Sequence, residues 1–154
     1  MAQTSSPIQA VYLEPPDPEA YPPAVDAICA ADLVVLGPGS LFTSLIATLL
    51  VPGIRDALHS LEVPRVLVAN TRIQKGETSG LDMSAHVEAV LAHVGHDCLD
   101  AVIVQSPVLA GDGVPYDRDA VKALGMSVIE ADVAAPSGNH DPQRLAGVLS
   151  TLAG

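Results

Sequence analysis

The segment Ala31-Asp32-Leu33-Val34-Val35-Leu36-Gly37-Pro38-Gly39-Ser40 runs from a buried-strand pattern into a Gly-Pro-Gly turn, directly before an apolar helical stretch. Two glycines let a backbone come close to a ligand, and Ser40 stands where a helix N-cap belongs. The first N–H groups of a helix carry the positive end of its dipole, so the turn suits a phosphate at the carboxyl end of a strand. The same residues also fit a tight strand-to-helix turn without any ligand. The segment is not a P-loop, because no Gly-Lys-Ser/Thr follows. Nor is it the dinucleotide fingerprint, since Phe42 stands in place of the third glycine.

A second polar segment, Asn70-Thr71-Arg72-Ile73-Gln74-Lys75-Gly76-Glu77-Thr78-Ser79-Gly80, follows another buried-strand pattern. Long loops at strand ends often carry function, and this one holds Arg72 and Lys75, two of only seven cations. Either cation could assist an anion at the glycine turn, or the loop could simply be solvated. His86 and His93 share one stripe of a helical pattern, at the border of a face formed by Val87, Val90, Leu91 and Val94. A metal there would need a third ligand from another element, so boundary histidines are the plainer reading. His140 precedes Asp141-Pro142, a helix start with Asp as N-cap and Pro at the first position, and neither of those residues explains the histidine. No Gly-x-Ser-x-Gly elbow is present, and nothing marks Cys29 or Cys98 as a nucleophile. The residues alone therefore describe an anion-binding domain without a visible catalytic set.

These residues must be positioned by regular elements. Helical patterns at Pro22–Ala30, Leu41–Leu50, Ile54–Leu61, Asp82–Val94, Asp117–Leu124 and Asp141–Leu152 alternate with apolar runs of strand length. The runs are Leu33–Leu36, Val66–Ala69, Ala101–Val104 and Val128–Ile129, and their lack of polar alternation marks strands buried on both faces. Such alternation predicts an α/β fold, a mostly parallel sheet between helical layers. Ile8–Leu13 is a further strand candidate. Residues 1–7 are expected to form a flexible tail, and residues 8–154 a single domain. Six of the 13 prolines fall in the first 23 residues, so Glu14–Pro23 should be an irregular, partly polyproline loop.

At 154 residues one domain can bury a sizeable core unaided. The 49% apolar fraction excludes disorder over the whole chain. With 18 acidic and 7 basic side chains the net charge is −11, and no basic patch is visible. Duplex nucleic acid and anionic membranes are thereby disfavoured as partners. Three Tyr, one Phe and no Trp offer little for base stacking on single strands. The apolar stretch Leu41–Ile54 is too short and too polar to span a bilayer. No secretory signal is visible, and two well-separated cysteines without ligand spacing fit two buried thiols in a reducing, cytoplasmic setting. Mean hydropathy is +0.37, and the helix at Leu41–Leu50 is apolar around most of its circumference. Both features suggest burial against a larger assembly or a longer chain.

The pieces ADLVVLGPGSLFTSLIATLLVPGIRDAL, NTRIQKGETSGLDMSAHVEAVLAHVG, DAVIVQ, ALGMSVIEADV and HDPQRLAGVL resemble, in order, the YvcK-type gluconeogenesis factors within the CofD-like superfamily of 2-phospho-L-lactate transferase. The resemblance covers most of the chain from Pro22 to Leu152. It implies a Rossmann-like three-layer fold of which this chain is the C-terminal half, since family members are about twice as long and begin with a glycine-rich loop. A partner is then implied, either the missing N-terminal half or a second copy, and a fragment that binds no ligand and serves only protein interaction or oligomerisation is a further alternative. Family members of this branch are regarded as non-catalytic binders of UDP-sugars that influence carbon flux, cell-wall precursor supply and cell shape. The transferase relatives move a phospholactyl group with Mg²⁺, which is the only cofactor implied.

On the same resemblance, Gly37, Pro38, Gly39 and Ser40 would meet the ligand phosphates, with Thr43 and Ser44 one turn later as helpers. Asn70, Gln74, Gly76, Glu77 and Thr78 match the family's Asn-x-x-x-Gln-x-Gly-Glu-Thr loop, which lines the same cleft beside Arg72. His86 matches the histidine of the helix behind that loop. Asn139 replaces an arginine common before the His140-Asp141-Pro142 start, and the stretch between Val104 and Tyr116 is shortened.

Overall fold

The computed structural model describes residues 8–153, so the expected tail at 1–7 lies outside the described residues. Four strands form one sheet in the order β1-β2-β3-β4, every neighbour parallel. They are β1 (Val34–Leu36), β2 (Arg65–Val68), β3 (Ala101–Gln105) and β4 (Ser127–Ala131). The helices are α1 (Pro22–Cys29), α2 (Ala47–Leu49), α3 (Pro52–His59), α4 (Met83–Val94), α5 (Arg118–Ala123) and α6 (Pro142–Ser150). This is the layered α/β arrangement that the alternating patterns predict.

Strands laid down in consecutive order by crossovers of one hand put every crossover on the same face. Accordingly Leu36, Leu67, Val102, Val104 and Val128 face the main core with residues of α3, α4 and α5. The opposite residues, Val66, Val68, Ala101, Ile103 and Ile129, pack under α6 alone, through Leu145, Val148 and Leu149. All five residues of β3 are buried, which is why its sequence shows no polar alternation.

Four expectations are corrected. Ile8–Leu13 forms no strand: Ile8 and Val11 pack on the main core at a spacing of three, and the Val11 N–H donates to His93 Nε2 at 3.0 Å instead of joining a ladder. The third helix begins at Pro52 rather than Ile54, because Pro52 fills the first helical position, where its missing N–H does no harm. Cys29 is exposed at the end of α1, and only Cys98 is buried. His86 is not a boundary residue either, being 3% exposed within the buried face of α4.

Leu41–Ile46 is wound as a wide π turn, with the Leu45 N–H reaching the Ser40 carbonyl at 2.9 Å, before α2 continues it. Leu41, Phe42, Ile46 and Leu49 are buried, as the apolar circumference of the segment requires. Among the described residues no single helix is long and apolar enough to cross a membrane. Leu41–Leu49 and Pro52–His59 pass together only as a pair bent by 75°.

Candidate functional site

β1 ends in the glycine turn at the carboxyl edge of the sheet. Gly37 has φ +81°, and a Cβ there would lie 3.2 Å from the Val68 carbonyl oxygen, so both conformation and space require glycine. Ser40 does not cap the following helix with its side chain. Its hydroxyl instead accepts a hydrogen bond from Gln74 Nε2 at 2.9 Å. Among the described residues no protein acceptor is paired with the N–H of Gly39 or of Ser40. Two adjacent amide donors at the start of a helix are thus left for another partner.

Of the next three donors, the Leu41 N–H goes to Gln74 Oε1 at 3.4 Å and the other two to a carboxylate, both acceptors coming from the second loop. Glu77 Oε1 accepts from the Phe42 N–H at 2.8 Å and the Thr43 N–H at 3.1 Å. Gln74 Oε1 accepts from Asn70 Nδ2 at 3.0 Å, and Asn70 Nδ2 also donates to the Gly39 carbonyl at 2.9 Å. The 70–80 loop is folded by its own residues: the Gln74 N–H donates to the Thr78 hydroxyl at 2.9 Å, with Thr78 wholly buried and Gly76 at φ +86°. The structure therefore brings Gly37–Ser40 together with Asn70, Gln74, Glu77 and Thr78. A carboxylate at a helix start is favoured by the dipole, which is the local reason Glu77 sits there.

Arg72 is not a free cation. Its guanidinium pairs with Asp112 and lies against Gly138, while the Thr71 hydroxyl donates to the Gly138 carbonyl at 2.5 Å. Sequence reading missed Asp112, which stands forty residues away with no local pattern to announce it. A polar cleft of about 210 Å³ opens between Asn70, Arg72, Gln74, Gly138, Asn139 and His140. His140 Nε2 bonds the Ala69 carbonyl at 3.1 Å; because a carbonyl only accepts, this nitrogen carries the proton.

His86 and Ser44 lie away from this cleft. His86 Nδ1 donates to the Asp82 carbonyl at 2.7 Å, and its Nε2 is buried with no hydrogen-bond partner. The ring lines a hollow of only about 10 Å³ beneath Gly39 and Asn70. Burial holds its pKa below the ordinary 6.5, so the ring is neutral at physiological pH. Ser44 lines a separate apolar groove along β1, and Thr43 stands beside Glu77. His93 serves structure, bonding Val11 as described. Sequence reading also missed Gln105, a buried residue at the end of β3. Its Oε1 accepts from the Val133 and Ala134 N–H groups, both at 2.8 Å, fixing the chain that leads to Asn139 and His140. Cys98 is no nucleophile, as burial pushes its thiol up to about 11. Among the described residues no group of three or more His, Cys, Asp or Glu could hold a metal ion.

Comparison with known proteins shows the family and the fold. Residues 1–134 match the family model described as 2-phospho-L-lactate transferase CofD. A protein of Thermoanaerobacterium thermosulfurigenes described as a gluconeogenesis factor is 39% identical, over 96% of this chain and 50% of its own length. One of Mycobacterium tuberculosis with the same description is 40% identical, over 97% of this chain and 44% of its own. The chain thus spans about half the length of the curated relatives it matches. Two crystal structures of a Bacillus halodurans protein, one described as a member of the UPF0052 family, superpose with TM-scores of 0.90 and 0.91. Their identities are 28% and 29%, over 96% of this chain and 52% of theirs. With an all-parallel sheet and a family match over most of its length, the chain belongs to the CofD family.

Proposed function

We propose that this chain is part of a regulatory, non-catalytic protein of the gluconeogenesis-factor kind that binds a nucleotide sugar, a UDP-sugar by the resemblance set out above. The observation that carries the reading is the pair of unpaired amide donors on Gly39 and Ser40, in a turn tied through Asn70 and Gln74 to the polar cleft. A diphosphate would meet those donors, and the adjoining cleft of Asn70, Asn139 and His140 offers hydrogen-bonding groups to the rest of the ligand. Phe42 and Thr43 are already held by Glu77, so the phosphate site is narrower than a whole helix start. The setting is proposed to be cytoplasmic.

A phospholactyl transferase is the weaker reading. Such an enzyme would need acidic ligands for Mg²⁺ from the portion of the family fold that this chain does not span.

A thermal-shift series with UDP-N-acetylglucosamine, GTP, NAD and inorganic phosphate, each with and without Mg²⁺, tests the proposal. A ligand at 100 times its Kd is expected to add about 2.7 kcal/mol, or roughly 5–11 °C at this size. A selective UDP-sugar shift that persists without Mg²⁺ and vanishes in Gly39→Asp supports it. A shift equal in wild type and variant removes the glycine turn from the site, and a shift only with GTP and Mg²⁺ favours the transferase reading.

A further inference from the structure

We propose that the hollow beneath the glycine turn is a binding site for one water molecule, through which His86 positions Asn70 and, through Asn70, the turn itself. The positioning role rests on the phosphate reading of the turn, whereas the water site stands without it.

The acceptor end of the site is His86. Its ring is 3% exposed, and Nδ1 donates back along α4 to the Asp82 carbonyl at 2.7 Å. That bond places the single proton of the neutral ring on Nδ1 and leaves a lone pair on Nε2. The two nitrogens point away from each other across the ring, so Nε2 faces off its own helix, into the hollow that the ring lines. Among the described residues Nε2 is the one buried side-chain nitrogen or oxygen without a protein hydrogen-bond partner. A buried acceptor left dry is costly, and native interiors supply it with a donor.

The donor end is Asn70. The Ala69 N–H donates to the Ile103 carbonyl of β3 at 3.0 Å. Alternation along a parallel strand turns the next N–H, that of Asn70, to the opposite side, where β1 runs into Gly37–Gly39. Among the described residues no protein acceptor is paired with that N–H. Asn70 lines the same hollow as His86. A water there accepts from the Asn70 N–H and donates to His86 Nε2.

The hollow measures about 10 Å³, room for a single water. Leu41, Leu45, Leu67 and Met83 wall it, and their side chains offer no strong competing hydrogen bond. A donor at one end and an acceptor at the other therefore define one position. Asn70 Nδ2 in turn holds the Gly39 carbonyl at 2.9 Å and the Gln74 side chain at 3.0 Å. Fixing the Asn70 backbone thus fixes the turn that carries the Gly39 and Ser40 amides. His86 touches no phosphate in this scheme, and its effect passes through the water.

Water–amide Overhauser measurements on the ¹⁵N-labelled chain, with a long-range ¹⁵N spectrum of the histidine rings, test the site. The expected result is a cross-peak between a bound water and the Asn70 N–H, with Nε2 resonating as an unprotonated, hydrogen-bonded nitrogen. The cross-peak should vanish in His86→Leu and persist in His86→Gln, whose Oε1 accepts; His86→Phe serves if the leucine variant does not fold. No cross-peak in the wild type, or its survival without an acceptor at position 86, overturns the water site. Calorimetric titration with UDP-N-acetylglucosamine and with inorganic pyrophosphate tests the positioning role. Binding is expected to weaken roughly tenfold in His86→Leu, the size of one lost hydrogen bond, and to recover in His86→Gln. Equal affinity in the wild type and His86→Leu overturns that role. If neither probe binds the wild type, the phosphate reading fails and the positioning role with it, while the cross-peak still decides the water site.

Discussion

A Cβ on Gly39 would stand 3.5 Å from the Ser44 Cβ, an ordinary contact, whereas one on Gly37 would press on the Val68 carbonyl at a φ unsuited to L residues. The two glycines should therefore separate in mutation. Gly39→Asp is expected to keep a native circular dichroism spectrum and lose phosphate-ligand binding, through its charge beside the free amides. Gly37→Ala is expected to lower stability by about 1–3 kcal/mol in chemical denaturation, because the strain is local and structural. Glu77→Ala leaves the Phe42 and Thr43 amides without their acceptor; a half-exposed site tempers the loss to about 1–2 kcal/mol. A variant as stable as the parent would mean that water replaces the carboxylate without penalty.

Titration at single residues also makes the protein acid-sensitive, in two stages. The pKa of His86 is depressed by burial, so its contribution is complete above about pH 6.5 and is lost as pH falls toward the lowered value. The Arg65 guanidinium, bonded at 2.9 Å to each Asp100 oxygen, holds that carboxyl below its ordinary 3.8. The Asp82 carboxyl is lowered by the Ala85 N–H and the Ser84 hydroxyl. Those carboxylate contributions are intact above the ordinary value and lost on further acidification. Melting temperature against pH should thus fall in two steps, and His86→Leu should remove the first while leaving the second. A single step in both proteins would contradict this assignment.

At the scale of elements, Gln105 couples β3 to the chain that follows β4. Replacing it by Leu would leave the buried Val133 and Ala134 N–H groups unpaired, for an expected loss of about 2–4 kcal/mol in urea unfolding. Loss below 1 kcal/mol would show that the 132–140 segment rearranges to satisfy them. The strands were readable in advance because β2 and β3 are buried on both faces, which leaves continuous apolar runs in the sequence. Helix starts at Asp82, Asp117 and Asp141 were readable because each carboxylate accepts from the first-turn amides. Ile8–Leu13 misled, since an apolar run has the same composition whether it finds a ladder or lies across a helical layer. The site was half legible. The glycine turn and the 70–80 loop announce themselves by residue type, but their link through Gln74, Glu77 and Asn70 depends on tertiary approach. Arg72 reads as a ligand cation until Asp112 is seen beside it.

For the whole molecule, the sheet has one heavily covered face and one covered mainly by α6, with β1 and β4 at its two edges among the described residues. The two thiols, unequal in exposure, make the intactness of this layer directly measurable. Cys29 on the surface should react with a maleimide at once. Cys98, fully buried and with its thiol pushed up to about 11, should react only when the core opens. The second labelling rate is then a clock for opening of the fold.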